Sequence, residues 1–302
     1  MKQLPLRSHH YRQTLRDFSR WIATLGYAES SVYGLPIFLQ EFFHFLERQG
    51  ITHLQKATSE QVTEFISHLS TRPNERRGGG LSDSHINKYI QALKLLSKFL
   101  QLTEQGYLPV EVSRRRIARR IDGLLTPAEV QGLYECCDIT TAVGIRDRAM
   151  LSIYYGCGLR RSEGVGLDTG DVLTRRKLLY VRKGKNYRER YVPINASITR
   201  DLQAYLHEAR PQLLGKRYTT ALLVSERGRR IESLSLSLRL KVLLQRAGID
   251  KPTTLHTLRH SIATHLLQSG MPLQDIARFL GHQSLEATQI YTHLDDETTA
   301  GL

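Results

Sequence analysis

Three cysteines in 302 residues are too few, and wrongly spaced, for a disulfide-stapled or zinc-built protein. Cys136 and Cys137 are adjacent and Cys157 stands apart, so there is neither a disulfide ladder nor a CxxC pair, and sequence neighbours do not easily supply tetrahedral ligands. Three reduced, partly buried thiols in a reducing compartment are expected. Long hydrophobic runs are also missing: Met150-Leu-Ser-Ile-Tyr-Tyr155 is among the longest and falls far short of a bilayer span. The first residues are charged, with no apolar segment and no small-residue cleavage site, so no signal peptide and a cytoplasmic location are expected. No GxxxxGK[ST] frame precedes Gly184-Lys185, there is no GxSxG elbow, and no acidic cluster offers a two-metal site. His256 and His260 have HxxxH spacing, but Thr257 stands where a zinc protease carries its glutamate. Neither a metal nor a cofactor is expected.

What is abundant is positive charge. The formal net charge is +14 and the pI about 9.8. Residues 1–113 hold 13 Lys and Arg against 10 Asp and Glu, a net of +3; residues 114–302 hold 30 against 19, a net of +11. A surplus on this scale points to a polyanionic partner, bound largely through counterion release. The alternatives are a merely solubilising surface or attachment to acidic lipid. No basic amphipathic helix with a continuous apolar face stands out, so no membrane partner is expected.

Apolar spacing of three and four reads residues 1–113 as four helices without strands. The first, over 11–25, carries Leu15, Phe18, Ile22 and Leu25. The second, over 29–49, carries Leu35, Leu39, Phe42, Phe43 and Leu46 and stops at Gly50. Ser59 is expected to cap a third with Val62, Phe65, Ile66 and Leu69 on one face. After a breaker-rich run over 71–80, Ser82 starts a fourth (Ile86, Tyr89, Ile90, Leu93, Leu96, Phe99, Leu100). Residues 114–120, with five arginines in seven positions, read as an exposed linker, over 114–122, that crosses a phosphate backbone, or else as an ordinary solvated charge run. Thr126, Pro127 and Glu129 form an N-cap, first-turn proline and capping box that opens a second domain over 123–302. There, helical periodicity runs over 142–155 and breaks at Gly156-Cys-Gly158; a short segment covers 159–167. Residues 178–181 and 190–193 look like a hairpin around Lys183-Gly-Lys-Asn-Tyr-Arg188, and helices return over 197–209, 233–247, 255–269, 273–280 and 285–290. The class is mainly α with a small antiparallel β-sheet.

The chemistry lies near the C-terminus. His256-Thr-Leu-Arg259-His260 is followed by Leu280-Gly281-His282 and Tyr291-Thr292-His293, with His256, Arg259, His282 and Tyr291 spaced 3, 23 and 9 residues apart. Together these are parts for cutting and rejoining a DNA backbone: a phenol nucleophile, and cationic and hydrogen-bonding groups to hold a phosphate as its charge grows. Any one of 14 tyrosines is ordinarily a core residue, and a phenol attacks only where cations favour the phenolate. His256, Arg259, His282 and Lys185 are candidates for that task. His256 and Arg259, three apart, share a helix face, so one face is expected to pack while the other presents charge. Guanidinium matches a phosphate bidentately and stays charged, which makes arginine the expected clamp. Arg160, after the glycine break and with Glu163 to orient it, is a second candidate, with Arg161 its rival. A surface arginine at a helix start is the bland reading of this piece. Lys185 at the hairpin tip is positioned to protonate a leaving 5′ oxygen, with Lys183 as competitor.

With these residues assembled, the chain resembles the tyrosine recombinase (phage integrase) family over nearly its whole length. The segments are Tyr155-Gly-Cys-Gly-Leu-Arg-Arg-Ser-Glu163, Gly184-Lys-Asn-Tyr-Arg-Glu-Arg-Tyr-Val-Pro193, His256-Thr-Leu-Arg-His-Ser-Ile-Ala-Thr-His265, and Leu280-Gly-His282 through Tyr291-Thr-His293. The resemblance implies a helical core-site DNA-binding domain over 1–113 and a tyrosine-recombinase catalytic domain over 123–302. It implies that Arg160 and Arg259 clamp the scissile phosphate, Lys185 is the general acid, His256 assists proton transfer and His282 hydrogen-bonds the phosphate. Tyr291 would form a 3′-phosphotyrosyl intermediate and Glu163 would support the site. It further implies double-stranded DNA with specific recombination sites as partner and a homotetramer on two synapsed sites, with room for a second recombinase or accessory protein. Neither ATP nor a metal would be needed.

The plan is closest to Xer-like or simple mobile-element recombinases. The loop over 72–80 is longer and richer in glycine than the usual Xer turn, and 11 residues follow Tyr291, a short acidic tail. Both put a role in moving an element, cassette or invertible segment beside a housekeeping one. Two alternatives remain: relaxation of DNA by type IB topoisomerase chemistry, and a DNA-binding protein that keeps only the fold.

Overall fold

The computed structural model describes residues 4–73, 80–116, 122–182 and 189–281. The chain divides into two compact units, Met1–Ala118 and Arg119–Leu302. Among the described residues, no helix is long and apolar enough to cross a membrane.

The first unit is built from helices α1 (His9–Thr24), α2 (Glu29–Arg48), α3 (Ser59–Thr71) and α4 (Asp83–Leu102), the four that the apolar spacing predicts. Ser8 caps α1 and Ser82 caps α4, each hydroxyl accepting from a backbone N–H three residues on. The expected cap at Ser59 is displaced by one residue. Thr58 holds that position and forms a capping box with Gln61, whose carboxamide oxygen accepts from the Thr58 N–H at 2.8 Å. Pro36 lies inside α2. Its missing donor is tolerated because Leu35, Leu39, Phe42, Phe43 and Leu46 bury the helix on both sides of it. The apolar faces close on a core rich in aromatic rings, with Tyr11 stacked on Phe43 at 4.5 Å and Phe18 edge-on to Phe99 at 5.8 Å.

The second unit starts at α5 (Pro127–Glu135), where Thr126 and Glu129 form the predicted capping box with Pro127 in the first turn. Helix α6 (Ala142–Leu151) does not run on as a plain α-helix to residue 155. It widens into a π-helical turn over Ser152–Gly156, a form that inserts one residue per turn and clusters at functional sites. Helix α7 (Arg161–Gly166) follows the glycine break. The sheet is three-stranded and antiparallel, in the order β1 (Val172–Leu173), β2 (Leu178–Val181), β3 (Arg190–Pro193). Leu178 pairs with Pro193 and Val181 with Arg190. The hairpin is as expected; β1 is an addition, two residues long and therefore without a readable alternation.

Helix α8 (Ala196–Ala204) passes through a second π turn, Tyr205–Ala209, into α9 (Arg210–Leu214). Helices α10 (Ser233–Arg246), α11 (Leu255–Gln268) and α12 (Leu273–Leu280) complete the unit, within a residue of the predicted spans. The helix expected over 285–290 lies outside the described residues. One large core joins α5, α6, the sheet and α10, while Ala263, Ile276 and Leu280 form a small separate cluster that docks α12 on α11. That docking brings the end of α12 to the site.

Candidate active site

The glycine break sets the geometry. Gly158 adopts φ +58°, and a Cβ there would lie 2.9 Å from a Leu280 methyl and 3.0 Å from the Phe279 ring. Glycine therefore allows the turn and lets α12 approach it. Two residues on, Arg160 takes the N-cap position of α7 in extended conformation. Its backbone N–H donates to Glu163 Oε2 at 2.8 Å, and its guanidinium Nη1 donates to Oε1 at 3.0 Å. The guanidinium also reaches the Gly281 carbonyl at 3.4 Å.

Arg259 enters from α11. Its Nη1 donates to the Gly158 carbonyl and its Nη2 to the Leu280 carbonyl, each at 2.7 Å, and it stands 3.8 Å from Glu163 Oε2. The residue is 1% exposed. This corrects the expectation that the His256–Arg259 face presents its charge outward: His256 is exposed, but Arg259 is drawn inward, where two carbonyls accept from it and the charge of Glu163 stands nearby.

A third arginine completes the cluster. Arg190, the first residue of β3, donates from both Nη atoms to the two oxygens of Glu163, each at 3.0 Å, and from Nε to the Phe279 carbonyl at 3.1 Å. Burial of Glu163 opposes its charge, but the hydrogen bonds and charge of Arg190, with help from Arg160, outweigh it and hold the carboxyl at about 2. Three guanidiniums thus share one carboxylate, leaving a positive surplus suited to an anion.

His256 and His260 sit a turn apart with rings edge-to-face at 4.4 Å. Desolvation by the surrounding protein and then the charges of Arg259 and Arg160 lower the His256 pKa, although the ring keeps an exposed edge. Burial, His256 and Arg259 push His260 down to about 4. Both imidazoles are therefore neutral at neutral pH, suited to accepting a proton or a hydrogen bond. Behind them Tyr155, in the π turn, bonds His265 Nδ1 at 2.8 Å. Burial raises the Cys137 and Cys157 thiols to about 12, which leaves them unreactive. Among the described residues no group of three or more His, Cys, Asp or Glu side chains gathers as a metal site.

Of the predicted site residues, Arg160 and Arg259 are brought together around Glu163, and His256 stands close enough to feel both of their charges. Lys185, His282 and Tyr291 lie outside the described residues. Arg161, the rival to Arg160, is an exposed residue of α7. The sequence reading missed Arg190. The only available signal was a basic residue opening the second strand of the hairpin, and nothing local marks its partner, 27 positions away.

Residues 124–298 match the phage integrase family. The chain is 33% identical over 262 residues to the tyrosine recombinase XerC of Oceanobacillus iheyensis, covering 85% of this chain and 83% of that protein. Among solved structures it is similar to the XerH site-specific recombinase bound to palindromic difH substrate, with TM-score 0.75, 20% identity and coverage of 98% and 96%. It is also similar to the Tn1549 transposon integrase in complex with circular intermediate DNA, with TM-score 0.70, 17% identity and coverage of 92% and 94%. At these identities the structural likenesses speak to the fold.

Proposed function

The chain belongs to the phage integrase family of tyrosine recombinases, and on that premise we propose that it recombines specific DNA sites through a 3′-phosphotyrosyl intermediate. The observation that carries the assignment of residues is the convergence of Arg160 and Arg259, from α7 and α11, on the buried carboxylate of Glu163. Two fixed guanidiniums whose orientation is set before substrate arrives can meet the nonbridging oxygens of a phosphodiester as their charge develops, with little reorganisation.

In this reading the Tyr291 hydroxyl attacks the scissile phosphorus. One P–O bond forms to the phenol oxygen and one breaks to O5′, which leaves as a 5′ hydroxyl after taking a proton from Lys185. His256, neutral at working pH, assists transfer of the phenol proton, and His282 hydrogen-bonds the phosphate. The phosphotyrosyl ester conserves the energy of the broken bond, so attack by a new 5′ hydroxyl reverses the step without ATP.

Residues 1–113 would grip the core site, 114–122 would link, and 123–302 would catalyse. The exposed side of α4 supports the first role: between Ser84 and Gln101 every exposed position is Ser, Lys or Gln, including Lys88, Lys94 and Lys98. A positive and hydrogen-bonding face without carboxylate suits a duplex. In the arginine run, Arg115 is held by Asp83 at 2.8 Å and by Asn87, so part of that run belongs to the first unit. A homotetramer on two synapsed sites in the cytoplasm, with or without a second recombinase, completes the proposal.

The test is a covalent trap. Wild type and Tyr291→Phe are expressed in the native host, denatured rapidly and recovered, and attached DNA is sequenced. Adducts on wild type alone, enriched at a few loci, are expected. Adducts spread without preference would favour a relaxing topoisomerase. Their absence even on nicked substrates would leave only DNA binding.

A further inference from the structure

We propose that Arg190 is the positioning residue of this site: it takes both oxygens of Glu163 and the end of α12, and so fixes the carboxylate about which Arg160 and Arg259 are oriented, without itself touching DNA. This rests on the reading of Arg160 and Arg259 as the phosphate clamp.

The geometry of the carboxylate carries the inference. Glu163 Oε1 accepts from Arg160 and Arg190 at 3.0 Å each, and Oε2 accepts from Arg190 at 3.0 Å and from the Arg160 backbone N–H at 2.8 Å. Only Arg190 makes the parallel two-pronged contact. Arg259 stands farther off, at 3.8 Å. A carboxylate without a bidentate partner would rotate toward whichever guanidinium lay nearest and neutralise it, competing with the phosphate for the same donors. Arg190 removes that competition by taking the carboxylate face-on, so that Arg160 shares Oε1 with it and Arg259 stands 3.8 Å from Oε2.

The residue is also built in from the other side. Its Nε bonds the Phe279 carbonyl in the last turn of α12. Gly281, at φ +67°, closes that helix, and a Cβ there would lie 2.8 Å from Arg190 Nη1, so the turn has no side chain where the guanidinium passes. All three of its guanidinium nitrogens are engaged, Nη1 and Nη2 by the two oxygens of Glu163 and Nε by the Phe279 carbonyl. Such a group acts through its neighbours. One guanidinium therefore joins β3, α7 and α12, and the carbonyls of the two residues that follow Phe279, Leu280 and Gly281, bond Arg259 and Arg160.

The test uses the full-length protein and a nicked duplex of the sequence recovered from covalent adducts, measuring single-turnover adduct formation. Two substrates are compared: the normal phosphodiester, and one with a methylphosphonate at the scissile position, which lacks the nonbridging negative charge. Wild type and Arg160→Ala fix the scale, and Arg190→Gln and Arg190→Lys are the variants. Adduct formation by Arg190→Gln is expected to slow on the order of 10²-fold on the phosphodiester, the effect of misplacing a positioned group. The deficit should shrink at least several-fold on the methylphosphonate, in parallel with Arg160→Ala, while DNA affinity stays near wild type; melting should fall because Glu163 loses its bidentate partner, so rates are read below the transition. Arg190→Lys, which keeps the charge and loses the fork, should fall between; should Arg190→Gln fail to fold, Arg190→Lys carries the comparison.

A deficit of equal size on both substrates would make Arg190 a purely structural residue and overturn the proposal, as would wild-type cleavage by either variant. Unimpaired cleavage by Arg160→Ala, or no adduct with wild type, would instead overturn the clamp reading beneath it, and the proposal with it.

Discussion

The two units bury different things. The first closes on rings: Phe42 and Phe65 lie 5.1 Å apart at its centre, and its ion pairs sit toward the rim, as with Arg72 and Glu41, 27% and 13% exposed. The second buries charge. Arg259 and Asp147 are each 1% exposed, and Asp147 is held by Arg146 and Arg239 just as Glu163 is held by its arginines. An aromatic core tolerates exchange among residues of like volume, because its stabilisation follows area and fit. A charged interior must be completed group by group, since a single missing partner strands a desolvated ion. The comparison teaches where to look for chemistry: the interior that costs most to build is the one proposed to bind a phosphate.

The contrast is sharpened most by a substitution that should harm stability alone. Phe42→Ala removes a fully buried ring from the first unit and is expected to cost about 3–5 kcal/mol of its stability. Below the melting transition, adduct formation on saturating DNA should be nearly unchanged. Calorimetry and single-turnover cleavage together check this. Arg160→Ala should do the reverse, slowing adduct formation by about 10²–10³-fold with a smaller change in melting. If both variants shift both readouts alike, the separation of stability from chemistry fails.

Acid should separate the units next. The Glu163 carboxyl is held at about 2 against an ordinary 4.5. Its contribution is therefore present above 4.5 and is lost as pH falls toward 2, on the order of 3 kcal/mol. His260, held at about 4 against 6.5, favours the neutral form; that contribution is present above 6.5 and lost between 6.5 and 4. The melting temperature of the second unit should decline through both windows, and Glu163→Gln should flatten the lower one. The smallest effect is expected at Lys94→Ala on α4. Titration of DNA binding against salt should show a log–log slope reduced by about 1, uniformly across sequences, if Lys94 meets a phosphate. An unchanged slope would remove this side of α4 from the interface.

Most of the helical plan was legible because burial imposes the three-and-four spacing directly on the sequence. The Thr126-Pro127-Glu129 start was legible because a cap is a local hydrogen-bond problem with few solutions. The π turn at Ser152–Gly156 was not, because one inserted residue barely disturbs periodicity over so short a span. Strand β1, with two residues, is fixed by its pairing to β2 and not by its own pattern. At the site, Arg160, Glu163 and Arg259 could be read as a group through short motifs and their order. Their burial could not: whether a guanidinium points out or in depends on carbonyls of Gly158 and Leu280 that only the fold delivers. Arg190 was unreadable for the same reason, its partner lying 27 positions away on α7.

The account stands on Tyr291 as the attachment point, and peptide mapping tests that most directly. Wild-type protein trapped on a nicked site would be digested with protease and nuclease and the modified peptide sequenced by mass spectrometry. A nucleotide linked through its 3′ phosphate to Tyr291, absent in Tyr291→Phe, is the predicted result. A nucleotide on any other residue, or linkage through a 5′ phosphate, would contradict it.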